Sequence, residues 1–334
     1  MSELPELIQA LLDPKAYPEH PPRVELIQTQ ISYVFLAGDY VYKIKKPVDM
    51  GFLDYTTLEK RLYYCRKEVE LNRRLCADAY LGVVPITRDG GRFVIGGKGG
   101  AEEYAVKMRR LPQDAMMDAL LAKNRVTPRM VADVAKTIAD FHKRAATSTE
   151  ISTLGGIDAV IQNTSENFSQ TDKYFGIIIE PETCRRIKTY TEGFIKVNTP
   201  LFHKRMVEGR VRDCHGDLHA AHICFYKNGI CIYDCIEFID RLRYTDVTAD
   251  VAFLAMDLDH YGRADLADKF IKAYVKESGD KELLKLLNFY KCYRAYVRGK
   301  VGCFQYDDPH IPFDEKERIK ANARNYFELA ESYI

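Results

Sequence analysis

Histidine, cysteine and aspartate crowd into the stretch "CHGDLHAAHICFYKNGICIYDCIEF", Cys214–Phe238. Asp217 and Asp234 are the residues in it best suited to chemistry, since two carboxylates on a shared rim can serve one as general base and one as ligand of a divalent cation. Buried and unpaired they would repel each other and lose solvation, so a cation or basic partner is expected beside them. His215, His219 and His222 invite a second reading, the ligand set of a transition-metal hydrolase. Gly216 and the strand pattern that starts at Ile223 argue against the helix such spacing needs, and no HExxH is present, so this reading ranks well below the first.

The elements around these residues must position them. "ICFY" and "ICIYD" flank "KNG", whose Asn228-Gly229 pair is a strong hairpin signal. Antiparallel strands joined by a short turn lie about 4.8 Å apart, which is expected to bring Asp217, His222 and Asp234 to one rim of a helical lobe. Upstream, residues 24–110 read mostly as strands: "VELIQTQISYVFLAG", "DYVYKIKKPV", "GVVPI", "RFVIGG" and "EYAVKMRRL". One helix interrupts them after the third strand, with Thr56 as cap and Glu59 completing a capping box. Beyond Pro112 the periodicity turns helical. The expected organisation is a helical extension over 1–22, a sheet lobe over 23–111 and a larger helical lobe over 112–334.

The spacing matches a known chemistry. Protein kinases place a metal-binding Asn five positions after the catalytic Asp and a Mg²⁺-binding Asp after a hairpin; here the corresponding positions are Asp217, His222 and Asp234. With "HGDLH", "TQISYVFLAGDYVYKIKKPVDMGFLDYTTLEKR", "EYAVKMRRLP", "IEFIDRLRYTDVTADVAFLAMDL" and "YRAYVRGK", the chain resembles the aminoglycoside phosphotransferase family. Within that family it is similar to a bacterial subgroup often fused to a P-loop kinase; no GxxxxGK[ST] occurs here, so that half is expected to be absent. The resemblance implies an α+β, bilobal protein-kinase-like fold and an ATP-dependent phosphotransferase that uses Mg²⁺ and a small-molecule hydroxyl acceptor.

The resemblance also implies roles. Asp217 matches the base and Asp234 the Mg²⁺ ligand, with Glu237 either a second carboxylate there or a structural partner. His215 and Asp250 would support the catalytic loop. A lysine on the third strand would contact the phosphates, held by Glu68, with Glu70 behind it as a candidate; the period of two leaves Lys43 and Lys45 on one face, and analogy with "VAIK" ranks Lys45 first. Ser32 corresponds to a phosphate-contacting serine, and Val106–Met108 to the hinge along which adenine lies. His222 in place of Asn departs from the pattern, because Mg²⁺ prefers hard oxygen donors; Mn²⁺ is then the alternative ion. A nucleotide-binding pseudokinase and a protein kinase acting on a partner are the competing readings.

Other features read as structural. "GGKGG", Gly96–Gly100, has no helix after it to make a phosphate loop and reads as a hairpin loop. His142 lies on an amphipathic helix as a satisfied core or surface residue. Lys291, Arg294 and Arg298 share a helix face, a solvated basic stripe by default; the kinase-like resemblance makes Arg294 and Arg298 candidate acceptor contacts. The nine cysteines are odd in number and show no CxxC pair, which predicts free thiols with Cys231 and Cys235 in the core. A net charge of +1 excludes a global field for nucleic acid. An acidic N-terminus and the absence of a roughly 20-residue apolar run argue against secretion or a membrane span, so the expected compartment is the cytoplasm.

Overall fold

The computed structural model describes residues 4–227, 229–309 and 311–334; Asn228, on which the hairpin signal rested, lies outside them. Two compact units emerge, residues 1–116 with 223–239, and residues 117–222 with 240–334. In the first, a short helix α1 (Glu6–Ala10) precedes strands β1 (Val24–Gln28), β2 (Ser32–Ala37) and β3 (Tyr40–Lys45), helix α2 (Leu58–Cys76), and strands β4 (Tyr80–Asp89), β5 (Arg92–Ile95) and β6 (Ala101–Arg109). The sheet is antiparallel in the order β1-β2-β3-β6-β4-β5. Ile8, Leu11, Ala16 and Tyr17 join its core with Phe35, Tyr42 and Ile44, so the N-terminal extension packs onto the sheet.

Two local expectations shift. The cap of α2 lies one residue later than Thr56, because the Thr56 hydroxyl donates to Asp54 at 2.6 Å while Thr57 caps the amide of Lys60. The Gly96–Gly100 segment is not a hairpin loop: it joins β5 to β6, and β4 lies between these two strands.

The second unit opens with α3 (Met117–Ala122), α4 (Pro128–Arg144), α5 (Thr149–Leu154), α6 (Ile157–Thr171), α7 (Pro181–Val207) and β7 (Val211–Asp213). The hairpin β8 (Ile223–Tyr226) and β9 (Gly229–Ile232) then returns to the first unit. Helix α8 (Asp240–Arg243), strand β10 (Tyr244–Asp246), paired with β7, and helices α9 (Val247–His260), α10 (Ala264–Ser278), α11 (Leu283–Tyr306) and α12 (Phe313–Glu331) complete the second.

The hairpin was expected with the helices, and its partners explain why it sits with the sheet. Cys224 bridges Met116, and Cys231 is joined to Cys76 at the end of α2 by a disulfide. That bond corrects the expectation of free thiols throughout; the other seven cysteines are buried and form no disulfide. The Cα atoms of Cys76 and Cys231 lie 4.6 Å apart, within disulfide reach, because α2 ends against β9. No helix among the described residues is long and apolar enough to cross a membrane.

The second unit is tied together by Arg205 of α7, which is fully buried. Its guanidinium reaches Asp246 at 2.6 and 2.8 Å, Asp280 at 2.9 and 2.8 Å, and Thr248 at 3.0 Å. Removing one member of a buried ion network leaves its partners charged and unpaired, at a cost of about 3–5 kcal/mol. We expect Arg205→Met to lower the urea midpoint by that amount of stability; a loss below about 1 kcal/mol would show the network to be dispensable.

Candidate active site

The first unit carries a cluster of five charges. Lys43 and Lys45 project from the same face of β3, and α2 delivers the fully buried Glu68 between them, 3.0 Å from Lys43 and 2.8 Å from Lys45. The segment after β9 adds Asp234, 2.8 Å from Lys43, and Glu237, 2.5 Å from Lys45 and 2.9 Å from the Tyr55 hydroxyl. Burial by itself would lower both lysine pKa values. For Lys43 the charges of Asp234, Glu68 and Glu237 outweigh it, and for Lys45 those of Glu237 and Glu68, so both stay well above the usual range. Burial likewise pushes Glu68 up, and the two lysines bring it below the ordinary carboxylate value.

Two ammonium groups therefore face three carboxylates, a net −1 that suits a cation. Asp234 fits one best: it is a hard oxygen donor whose side chain is 40% exposed. Its backbone is left-handed, φ 61°, a conformation Asp tolerates better than most residues. The segment is gripped from α2 and β4. Asn72 donates to the Glu68 carbonyl at 2.8 Å and accepts the Cys235 amide at 2.8 Å, while the Asp234 amide meets the Tyr80 hydroxyl at 3.3 Å. Sequence reasoning missed Asn72, Tyr80 and Tyr55; Asn72 was findable as a polar residue one turn after Glu68 on the same helix face.

The second unit holds the loop Cys214–His222. Asp250, fully buried on α9, accepts the amides of His215 at 2.7 Å and Gly216 at 2.9 Å. Gly216 has φ 86°, which a side chain would strain. Asp257, seven residues along the same helix, accepts the Ala220 amide at 2.8 Å and the Tyr326 hydroxyl at 3.2 Å. Two carboxylates spaced two helical turns apart thus hold the loop on either side of Asp217. Asp257 was also missed, although its i+7 relation to Asp250 is visible in "DVAFLAMD". His142 is buried, 2.8 Å from the Tyr274 hydroxyl through Nδ1 and 3.3 Å from Asp250 through Nε2.

Imidazoles surround Asp217. Its amide donates to His215 Nδ1 at 3.3 Å, and its carbonyl accepts from His222 Nδ1 at 2.9 Å. Its carboxylate lies 3.6 Å from His219 Nε2 and 3.6 Å from His222 Nδ1. Burial would raise its pKa; His219, then His222 and Arg298, outweigh this and hold it far below the usual carboxylate range.

Several expected contacts have other partners. The Nδ1 of His222, expected on a metal, faces the Asp217 carbonyl. Ser32 is fully buried, with no hydrogen-bond partner for its hydroxyl among the described residues. Val106–Met108, expected as a hinge, lies within β6, flanked by β3 and β4, so its backbone belongs to the sheet ladder. Glu70 is exposed. Arg294 is buried, donating to the Ala249 carbonyl at 3.3 Å and lying 4.7 Å over Phe253, and Lys291 pairs with Asp259 at 2.5 Å. Arg298 stands 5.5 Å over Tyr326, close enough to depress Asp217. The basic stripe is therefore neither solvated nor uniformly available.

No family model matches the chain. It is 35% identical over 285 residues to uncharacterized proteins of Mycobacterium tuberculosis and Mycobacterium bovis, a match that covers 85% of this chain and 56% of theirs. The chain thus spans about half the length of the curated relatives it matches. Among solved structures it is similar to a choline kinase from Cryptosporidium parvum (TM-score 0.56, 12% identity, 97% of this chain and 95% of that one). It also resembles an amicoumacin kinase solved with AMP-PNP and Ca²⁺ (0.54, 14%, 98% and 94%). An aminoglycoside 2'-phosphotransferase in complex with GDP aligns as well (0.53, 15%, 96% and 99%). The fold is the α+β, protein-kinase-like fold.

Asp250 links the loop to pH. Burial raises its pKa, but the hydrogen bond and charge of His142, with His215 and Arg294, bring it to about 2, against 3.8 unperturbed. A depressed value in the folded state means a stabilisation, here about 2 kcal/mol, present above the unfolded pKa and lost as pH falls through the folded one. We expect wild type to lose this increment from about pH 4 down to about pH 2 in urea titrations, and Asp250→Asn to be destabilised at neutral pH with a flatter acid limb. Parallel acid limbs in the two proteins would remove Asp250 as the titrating support.

Proposed function

We propose that the chain is an ATP-dependent phosphotransferase that moves the γ-phosphate to a hydroxyl of a small molecule. The observation that carries this reading is the linkage of Lys43, Glu68 and Asp234: a strand lysine steadied by a helix carboxylate and in contact with the carboxylate that follows a hairpin. Such an arrangement suits the charge of phosphate oxygens and a divalent ion. The fold alone would not suffice, since one fold hosts many chemistries. The choline kinase, amicoumacin kinase and aminoglycoside phosphotransferase add support as fold analogues. A net charge of +1 favours a small acceptor over nucleic acid.

Lys43 takes the phosphate role ahead of Lys45, because its side chain is 16% exposed while that of Lys45 is 1% exposed and sealed between Glu68 and Glu237. Lys45 then anchors Glu68 and Glu237. Arg110–Pro112, the first backbone beyond β6, replaces Val106–Met108 as the candidate hinge. Asp234 is the residue that would hold Mg²⁺, or Mn²⁺ in its place; such an ion supplies positive charge against the transferring phosphoryl group. Asp217 accepts the hydroxyl proton and orients the nucleophile. Its low pKa makes it a weak base, which fits a loose transition state in which positioning outweighs deprotonation. His215, Asp250 and Asp257 position its loop.

Asp217→Asn should keep a nucleotide-induced rise in Tm while lowering phosphoryl transfer, or slow ATP hydrolysis, by about 10²-fold or more. Equal turnover would move the base elsewhere. A wild type that shows the Tm rise but no turnover with any hydroxyl acceptor would favour a nucleotide-binding role exerted through a partner. Lys43→Ala should remove most of the Mg²⁺–ATP stabilisation in thermal melts; a folded variant that retains all of it would place the phosphates away from Lys43.

A further inference from the structure

The carboxylate of Asp217 and the two imidazoles nearest it have a spacing that hydrogen bonding does not explain. His219 Nε2 and His222 Nδ1 each lie 3.6 Å from the same oxygen, Oδ2. That exceeds the roughly 3.2 Å upper bound of a good N–H···O bond. It lies close to the edge of a tetrahedron around a metal, since ligand bonds of about 2.0–2.1 Å at tetrahedral angles separate donor atoms by about 3.4 Å. One ligand atom from each of Asp217, His219 and His222 falls within 4.8 Å of the other two. The ring centroids of His219 and His222 lie 3.9 Å apart, with the planes tilted by 33°. His215, included in the sequence-based ligand set, is instead engaged by the Asp217 amide, and the carboxylate takes its place.

We propose that Asp217, His219 and His222 form a three-ligand site for a borderline transition-metal ion of the Zn²⁺ class, distinct from the Mg²⁺ role of Asp234. Two imidazoles and one carboxylate match the donor preference of Zn²⁺ and Co²⁺ and disfavour Mg²⁺. The loop holds the donors in place before an ion arrives, because Asp250 and Asp257 grip its backbone on either side of Asp217. Asp217 remains 34% exposed, which leaves a route for the ion. If His222 ligates through Nδ1, the metal bond replaces its hydrogen bond to the Asp217 carbonyl. The functional consequence rests on the phosphotransferase reading: an ion here occupies the base, so Zn²⁺ inhibits transfer.

The test is a Co²⁺ titration of the full, metal-free and nucleotide-free chain, followed by visible d–d absorption. One equivalent should saturate a tetrahedral-type spectrum that Zn²⁺ displaces and that lacks the near-ultraviolet thiolate band of cysteine ligation. His219→Gln, with the fold checked by circular dichroism, should weaken Co²⁺ binding by about tenfold or more. His222→Ala and Asp217→Asn carry the same test should that variant not fold. Absent absorption, a thiolate band, or binding unchanged in these variants overturns the site. Turnover with Mg²⁺–ATP is measured separately, so a chain that binds Co²⁺ here but transfers no phosphate refutes the phosphotransferase reading and leaves the site standing.

Discussion

An ionised carboxylate taken out of water must be given donors or it will take up a proton, and the charged centre of each unit is arranged around that constraint. In the first, Glu68 is fully buried with both oxygens facing ammonium groups. In the second, Asp250 is fully buried with two amides and an imidazole directed at it. Each then holds something that burial alone would not. Glu68 fixes two lysine tips at the end of long flexible stems, and Asp250 fixes a loop whose backbone would otherwise need water.

The same constraint sets the character of the reactive groups. Asp217 is surrounded by His219, His222 and Arg298, and their combined effect exceeds the penalty of burial. A carboxylate so stabilised has little appetite for a proton, which in the proposed reaction would make it better at aiming a hydroxyl than at stripping one. Asp234 differs: it is more exposed, pairs with Lys43, and has a left-handed backbone, with Asn72 and Tyr80 bonded to the backbone amides there. One carboxylate has imidazoles about it and the other an ammonium group.

The hairpin shows how far local reasoning reaches. Its existence follows from two apolar runs, "ICFY" and "ICIYD", on either side of "KNG". Its allegiance does not, because a two-stranded ribbon is too small to stand alone and takes its place from whatever covers it. Here the disulfide to Cys76, the Lys43–Asp234 pair and the Lys45–Glu237 pair draw it to the sheet unit. Asp234, expected on the helical lobe, is therefore grouped with the sheet unit.

What the sequence determined by itself was whatever short-range pattern encodes: the strands of the sheet, α2 to within one residue of its cap, and the helical periodicity of the second half. Each depends on neighbours within a turn or a hairpin, so composition and spacing suffice. Tertiary structure alone sets Lys43 apart from Lys45, since a period of two puts both on one face and only packing leaves one partly exposed and seals the other. It alone gave Arg294 to the core, placed Val106–Met108 inside a paired strand, recruited Asn72 and Asp257 as supports, and set His219 and His222 at equal distance from one oxygen of Asp217. Those outcomes depend on which groups meet across long stretches of chain in a crowded interior, and no local period carries that information.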